Sequence, residues 1–420
     1  MVDVFDRAST MSFSVVASVR GPLEREQLEQ GLRRLESRHP LLRARILRDD
    51  QGLHFEPGTA APIPLLVHEL DEEAAQTRIA RSIEHREWSD EGPRAELAWL
   101  RHGVLQSTLV LTFHHVTSDG SSGVLAMRDL LNALEADPGE QVDSPGQDAF
   151  FPHGHGGLAD KLRTGWMLAR GMFGRSPHRL GAYTGAFHER RVILQRLRLD
   201  CDRSRRLRER AKRDGATVHG VLCASLALSV AELSQGTRLQ RIVHPVDFRR
   251  LLRKAWGPRA GQPVGYYVTS VDTDHVLDAK RPLAQLAAEI SSAVQRKKAR
   301  GEPLLTAPLA GPMFTQYAAS MGSARFRQLA EQRVLINTFS FTNLGVLEQL
   351  DVNERHGALT IEDLYFVAAG SVLCTLGASA SSFRDELSFQ LTSVAPVVDD
   401  ETARSLFERT CARIEGFVSM

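Results

Sequence analysis

Residues 104–120 read VLQSTLVLTFHHVTSDG, and this stretch decides how the rest of the chain is interpreted. Its first part, VLQSTLVLTF, is rich in apolar and β-branched residues, which is typical of a strand. The strand runs directly into His114 and His115 and then into small polar residues. Residues 121–135, SSGVLAMRDLLNALE, return to helical spacing. The pattern predicts a strand that brings two histidines to a turn before a helix, where side chains can reach a cleft.

The two histidines at the end of this strand are candidates for proton transfer. The ordinary pKa of histidine is near 6.5, so a neutral imidazole can act as a base at neutral pH, and such a base typically accelerates the step about 10²–10⁴-fold. Asp119 follows His115 by four residues and either orients a histidine or holds the turn by pairing with a distant arginine. Gly120 permits a close approach that a Cβ atom would block. The alternative is a buried histidine pair that only ends the strand.

On both sides of this stretch, helical and strand patterns alternate. Before it, strands are predicted at 10–20 and 94–101 and helices at about 23–39 and 71–87. After residue 190, strands are predicted near 191–200, 265–273, 334–341, 363–368, 372–377 and 386–394, and helices near 203–214, 281–299 and 401–416, with another beginning near 217.

Residues 136–160 are rich in Gly, Pro and Asp, which predicts a loop or linker. We therefore expect an N-terminal lobe at 1–140, a linker and crossover at 141–190 and a C-terminal lobe at 191–420. Mixed helices and strands in two halves predict an α/β two-lobed protein, and active sites often lie between such lobes.

Composition excludes several classes of protein. The net charge of +1 gives no basic excess of the kind that a nucleic-acid partner would select. No segment approaches the roughly 18 apolar residues that a membrane span requires. The four cysteines are scattered outside any C-x-x-C motif, which favours a reducing compartment, and we expect the cytoplasm.

The pattern His-His-x-x-x-Asp-Gly at 114–120 resembles the signature of a superfamily that holds chloramphenicol acetyltransferase, condensation domains of non-ribosomal peptide synthetases and standalone polyketide-associated acyltransferases. The resemblance covers nearly the whole chain and is greatest to the standalone enzymes, typified by phthiocerol dimycocerosyl transferases. Further matching segments are LESRHPLLRARI at 35–46, DGATVHGVLCASLALSVAEL at 214–233, HPVDFRR at 244–250, PVGYYVTSVD at 263–272 and SFTNLG at 340–345.

The resemblance implies two pseudo-related, chloramphenicol-acetyltransferase-like halves with a tunnel between them. In it, His115 is the general base, while Asp119 is structural and is held by Arg249 of the P-V-D-x-R segment. His114 and Gly120 are structural at the same site. The donor is an acyl thioester of coenzyme A or of the phosphopantetheine of an acyl carrier protein. No permanently bound cofactor and no metal are expected.

Two further groups of residues are weaker candidates. Ser340, Thr342 and Asn343 either line the tunnel and bind the oxyanion of a tetrahedral intermediate, or only turn the chain. His153 and His155 lie in a glycine-rich loop without a third ligand, so we expect no metal there.

Two basic segments have alternative interpretations. The run of arginines and lysine at 203–213 is either a docking face for an acidic carrier protein or coenzyme A phosphates, or a solvated helix face. The amphipathic stretch 161–179 either contacts a membrane or lipid, or packs as a helix that links the lobes.

The sequence thus predicts a cytoplasmic acyltransferase that forms an ester between a thioester-bound acyl group and a small-molecule alcohol of lipid or polyketide type. Two alternatives stay open. One is an amide-forming condensation enzyme of the non-ribosomal peptide type. The other is a catalytically silent module that binds carrier proteins.

Overall fold

The computed structural model describes residues 11–49, 52–84, 88–137, 139–146, 162, 177–181, 190–234, 236–249, 263–303, 337–368 and 375–419. These residues form two six-stranded sheets, a two-stranded sheet and seven α-helices. The structure is therefore of the mixed α/β class that the sequence predicts. The predicted linker 141–190 lies largely outside the described ranges.

The strands, in chain order, are β1 (Ser12–Arg20), β2 (Arg45–Asp49), β3 (Gly52–Glu56), β4 (Leu65–Glu69), β5 (Ala95–Arg101), β6 (Gln106–His114), β7 (Arg191–Leu199), β8 (Arg238–Asp247), β9 (Val268–Leu277), β10 (Phe339–Val346), β11 (Arg355–His356), β12 (Leu359–Ala368), β13 (Leu376–Phe383) and β14 (Glu386–Ala395). The α-helices are α1 (Arg25–Arg38), α2 (Glu72–Ser82), α3 (Gly120–Ala133), α4 (Cys201–Arg213), α5 (Val218–Ser234), α6 (Leu283–Ala299) and α7 (Asp400–Ser419).

The first sheet has the order β11-β12-β1-β6-β5-β4, and the second has the order β7-β14-β13-β10-β8-β9. Strand β12 comes late in the chain but pairs antiparallel with β1, so that Phe13 lies opposite Ala368. The C-terminal half therefore supplies two strands to the first sheet. The predicted lobes 1–140 and 191–420 therefore do not coincide with the two sheets, since β11 and β12 belong to the second lobe by position and to the first sheet by pairing. Local patterns do not reveal which distant strand completes a sheet.

The first sheet carries helices on both faces, with α2 on the face opposite α1 and α3. Helices α1 and α3 pack on the first sheet, and α5, α6 and α7 pack on the second. The sequence of α5, VHGVLCASLALSVAELS, has apolar residues on all sides, as is typical of a helix in the interior. Residues 220–231 of this helix are all buried. Among the described residues, no single helix is long and apolar enough to cross a bilayer; α4 and α5 meet that test only jointly, across a bend of 92°.

The two halves also contact each other directly. Val192 on β7 packs in a small apolar cluster with Val16 on β1, and its N–H donates to Glu84 at 3.0 Å. The hydroxyl of Ser379 on β13 donates to the carbonyl of Phe366 on β12 at 2.8 Å. The second sheet is therefore held against the strands that carry the histidine motif.

Candidate active site

His115 lies immediately after β6, and hydrogen bonds at its backbone and at its ring fix its position. Its N–H donates to the carbonyl of Met11 at 2.8 Å. Its ring Nδ1 lies 3.0 Å from the carbonyl oxygen of Ser118. Because a carbonyl oxygen can only accept, Nδ1 of the neutral ring carries the proton and Nε2 presents a lone pair. The turn after the strand therefore selects the tautomer in which Nε2 can accept a proton.

Aromatic side chains surround the half-buried ring of His115. Its centroid lies 4.5 Å from that of Phe13 and 6.0 Å from that of Tyr266, which stands nearly perpendicular to it. Desolvation lowers the pKa of His115 to about 4, although the Ser118 carbonyl and the Asp119 carboxylate oppose the shift. The ring is thus deep enough to be desolvated but retains some solvent exposure. It is neutral at neutral pH, as a base must be.

His114 is the last residue of β6 and has a different environment. It is buried, and its Nδ1 accepts a hydrogen bond from the N–H of Val116 at 3.1 Å. The edge of its ring contacts Trp88, with the centroids 5.6 Å apart. These contacts support the predicted structural role, since they shape the turn that presents His115.

Asp119 and Arg249 form a buried ion pair. The two guanidinium nitrogens Nη2 and Nη1 donate to Oδ1 and Oδ2 of Asp119 at 2.9 and 3.0 Å. Burial disfavours the charge on Arg249, but Asp119 and Asp247 outweigh this effect and raise its pKa above the usual range. Asp119 also begins helix α3, because its Oδ1 accepts from the N–H of Ser122 at 2.9 Å. The structure therefore brings together the two residues that the resemblance paired.

The carboxylate of Asp119 also holds a second segment of the other half of the chain, the one that contains Tyr267. The N–H of Tyr267 donates to Oδ2 of Asp119 at 2.7 Å. Ser122 adds a second link, because its hydroxyl donates to the carbonyl of Gly265 at 2.6 Å and accepts from the N–H of that glycine at 2.9 Å. Between these two contacts lies Tyr266, whose ring faces His115. The ion pair thus positions an aromatic wall of the site.

Gly120 is the first residue of α3 and lies close to both sheets. A Cβ atom there would be 3.0 Å from Leu344 on β10 and 3.0 Å from Phe366 on β12. These distances are tighter than ordinary van der Waals contact, so the position favours glycine. Leu344 also brings the end of β10 against the histidine turn.

Ser340, Thr342 and Asn343 all lie on β10. Phe339 and Phe341 on the same strand are buried in the second core, so by alternation Ser340 and Thr342 point to the other face. Thr342 lies beside Ser379, whose hydroxyl contacts the first sheet.

Asn343 behaves differently from these two hydroxyl residues. Its side-chain oxygen accepts from the N–H of Gly345 at 2.8 Å, which forms a local turn. Ser340 and Thr342 thus stay candidates for the wall of the predicted tunnel. The side-chain oxygen of Asn343 instead stabilises the local turn.

Sequence reasoning from single residues missed Phe13, Tyr266 and Ser122. Tyr266 lies within PVGYYVTSVD, which matched the superfamily, but nothing in that segment showed which tyrosine faces the histidine. Phe13 belongs to an ordinary strand pattern. Only the pairing of β1 with β6 places its ring against His115.

Five of the six arginines at 203–213 pair with carboxylates of their own lobe. The pairs are Arg203–Asp200, Arg205–Asp202, Arg206–Asp202, Arg208–Asp385 and Arg210–Asp214. The helix buries Leu207 and Ala211 on its inner face. These contacts support a solvated helix face over a docking face. His153, His155 and most of 161–179 lie outside the described residues.

The chain matches two family models, one for each half. A condensation-domain model matches residues 3–151, and a model of the phthiocerol/phthiodiolone dimycocerosyl transferase C-terminus matches residues 188–392. An uncharacterized protein of Mycobacterium tuberculosis strain H37Rv, Rv2305, is 27% identical over 307 residues, which cover 69% of each protein.

Solved structures share the fold at low identity. The TRI3 trichothecene 15-O-acetyltransferase of Fusarium sporotrichioides has a TM-score of 0.73 at 13% identity, covering 99% of this chain and 93% of that one. Polyketide synthase associated protein 5 of M. tuberculosis has a TM-score of 0.65 at 16% identity, covering 99% and 97%. The first condensation domain of the CDA synthetase has a TM-score of 0.67 at 17% identity, covering 99% and 93%.

With the histidine motif in the first match, the P-V-D-x-R segment in the second and the fold shared throughout, the chain belongs to the acyltransferase superfamily that includes condensation domains and the phthiocerol dimycocerosyl transferases.

Proposed function

We propose that this protein transfers an acyl group from a thioester to the hydroxyl of a lipid or polyketide alcohol and so forms an ester. The observation that carries the proposal is the 3.0 Å contact between Nδ1 of His115 and the carbonyl oxygen of Ser118. The Nδ1–H of His115 is held by the Ser118 carbonyl, so the Nε2 lone pair is directed away from that bond. Because the neutral imidazole already has this lone pair, His115 can act as a base at neutral pH without first losing a proton.

In the proposed reaction, Nε2 of His115 takes the proton of the acceptor hydroxyl as the oxygen attacks the thioester carbonyl. The tetrahedral intermediate then expels the thiolate, and the proton on His115 passes to the departing sulfur. The thiolate is a good leaving group, so one base within hydrogen-bond reach suffices. A tunnel between the lobes, if it holds both substrates in line with His115, adds several kcal/mol through proximity.

Other residues of the site have supporting roles in this proposal. Asp119 and Arg249 position the turn, and neither acts as an acid or a base, because each is bonded to the other. Ser340 and Thr342 are proposed to line the passage and to donate to the oxyanion. The donor is an acyl-coenzyme A or an acyl carrier protein, and we place the reaction in the cytoplasm, where both occur.

The test compares purified His115→Ala and His115→Gln variants with the parent protein on a panel of acyl-coenzyme A donors and alcohol acceptors. Thiol release gives the rate, and mass spectrometry of the products gives the bond formed. We expect turnover to fall about 10²–10⁴-fold in both variants. The control is His54→Ala, since His54 is exposed on β3, outside both large sheets.

The outcomes separate the alternatives. An amide product from amine acceptors, with no ester from alcohols, would assign the protein to the condensation type. Equal turnover in the parent and the His115 variants would show that this histidine is not the base. No turnover by the parent with any thioester would favour a silent binding module.

A further inference from the structure

A second cluster of ionisable side chains lies on α5 and β8, in the C-terminal lobe. His219 and Cys223 are four residues apart on α5, a spacing that places both on one face of the helix. His244 on β8 lies beneath that face, and its ring centroid is 5.0 Å from that of His219. Cys223 and His244 are buried between the second sheet and its helices, and His219 is half-buried, with Phe341 against its ring.

We propose that His219, Cys223 and His244 form a binding site for a borderline-soft divalent cation of the zinc type. One donor atom of each residue lies within 4.8 Å of the others. Imidazole nitrogen and thiolate sulfur are the donors that Zn²⁺ and Co²⁺ prefer, whereas Mg²⁺ and Ca²⁺ prefer oxygen. The donor set thus selects the class of ion.

Two of the three distances between donor atoms can be compared directly with those around such an ion. With Zn–N near 2.0 Å and Zn–S near 2.3 Å, a tetrahedral ion separates its nitrogen and sulfur ligands by about 3.6 Å. Cys223 Sγ and His219 Nε2 are 3.6 Å apart. His219 Nε2 and His244 Nδ1 are 2.8 Å apart, so these two atoms would separate by about 0.5 Å to bind the ion.

Hydrogen bonds behind the cluster direct a lone pair of His244 towards the proposed ion. Glu289 can only accept, so His275 Nδ1, at 2.9 Å from it, carries a proton. The Nε2 atom of neutral His275 then accepts from the hydroxyl of Thr273 at 2.9 Å. The oxygen of Thr273 in turn accepts from Nε2 of His244 at 2.9 Å.

The Nδ1 atom of His244 is therefore left with its lone pair facing Cys223 and His219. Metal-bound histidines typically donate their second ring N–H to such an outer partner, which fixes the tautomer and the orientation of the ring.

Binding is coupled to one proton. Without a metal, a proton on Nε2 of His219 satisfies its contact with His244. When the ion binds, that proton moves to Nδ1 of His219, and the thiol of Cys223 releases its proton to solvent as the sulfur–metal bond forms. The bound ion would tie α5 to β8 and stabilise the C-terminal lobe.

The test uses the intact 420-residue chain, stripped with a chelator and titrated with Co²⁺ in a reducing buffer. We expect saturation at one equivalent, a near-ultraviolet charge-transfer band from thiolate to cobalt, and loss of that band on adding Zn²⁺. Cys223→Ser should lose the band, whereas the control Cys201→Ser should keep it, because Cys201 is exposed at the start of α4. A band that follows Cys201, or the absence of saturable binding, overturns the proposal.

A second measurement needs no variant and therefore decides the matter even if Cys223→Ser fails to fold. X-ray absorption of the Zn²⁺-loaded parent protein should show one sulfur ligand at about 2.3 Å and imidazole nitrogens at about 2.0–2.1 Å. A shell of nitrogen and oxygen only would show that Zn²⁺ binds elsewhere and would sink the assignment.

Discussion

Arg249 binds both carboxylate oxygens of Asp119, although the two residues are 130 positions apart in the chain. Their side chains are almost fully buried, at 6% and 3% exposure. The pair joins the start of α3 to the segment after β8, and so joins the histidine turn of one half to the other half. The geometry of the site therefore depends on a contact between the two lobes.

Removing either partner of this pair should destabilise the protein strongly. Asp119→Asn leaves the guanidinium of Arg249 buried without its main counter-charge, which typically costs about 3–5 kcal/mol. Arg249→Lys keeps the charge but loses the two-pronged contact. Urea unfolding of each variant measures the loss. The control is Asp247→Asn, because Asp247 also contacts Arg249 at 2.9 Å but is 36% exposed. A loss in Asp119→Asn no larger than in the control would contradict the structural role.

The pH dependence of turnover should report the lowered pKa of His115. Protonated imidazole cannot accept a proton, so activity rises with pH through the pKa and is constant above it. Desolvation puts that pKa at about 4, so kcat/KM should be flat between about pH 6 and 8 as far as this group is concerned. Assays after return to pH 7 distinguish titration from irreversible unfolding. A fall in kcat/KM on acidification that is centred near pH 6.5 would show that the ring of His115 is solvated.

Acid should destabilise the fold through its buried histidines, measured in the presence of a chelator. Burial lowers the pKa of His219 to about 4, and burial together with the neighbouring His219 lowers that of His244 to about 2. Each of these histidines has an ordinary value of 6.5, so below that pH the unfolded chain binds protons that the folded protein does not. The contribution of these histidines to the free energy of unfolding is therefore complete above pH 6.5. On acidification below that pH it falls by about 1.4 kcal/mol per pH unit for each histidine.

His244→Gln tests the contribution of one of these residues. The slope of unfolding free energy against pH, measured between about pH 6.5 and 5, should decrease by about one proton in this variant. His54→Gln changes an exposed histidine and should leave the slope as in the parent. An unchanged slope in His244→Gln would mean that His244 binds its proton in the folded protein too.

Gly123→Ala should damage both stability and turnover. A Cβ at this position would lie 2.7 Å from the ring of Phe13 and 2.9 Å from Val15. The helix or the strand must shift, which typically costs about 1–3 kcal/mol. Since the ring centroids of Phe13 and His115 are 4.5 Å apart, the shift should also displace the proposed base and lower kcat.

Gly103→Ala is the matched control, because nothing lies within 4 Å of a Cβ there. Thermal unfolding and kcat of the two variants give the comparison. If kcat is equal in the two variants and only the melting temperature of Gly123→Ala changes, the packing of Phe13 does not control the position of His115.

Part of this molecule could be predicted from the sequence because the signals are local. The apolar, β-branched run VLQSTLVLTF and the helical spacing after Gly120 predict β6 and α3, and the motif between them places His115 at the end of the strand. Period and turn chemistry depend on neighbours in the chain, so they can be read without knowing the fold. The resemblance then suggested Arg249 as the partner of Asp119, which the residues alone had left open.

Tertiary structure decided what depends on packing between distant segments. It pairs β12 with β1 and places the rings of Phe13 and Tyr266 next to His115. It also places His244 beneath the face of α5 that carries His219 and Cys223. No local pattern encodes these contacts, because a side chain's partners across a sheet or between lobes are set by how the whole core packs. The sequence by itself predicted His115 as the proton acceptor; the folded chain determined its hydrogen-bond partner, its lowered pKa and the aromatic side chains beside it.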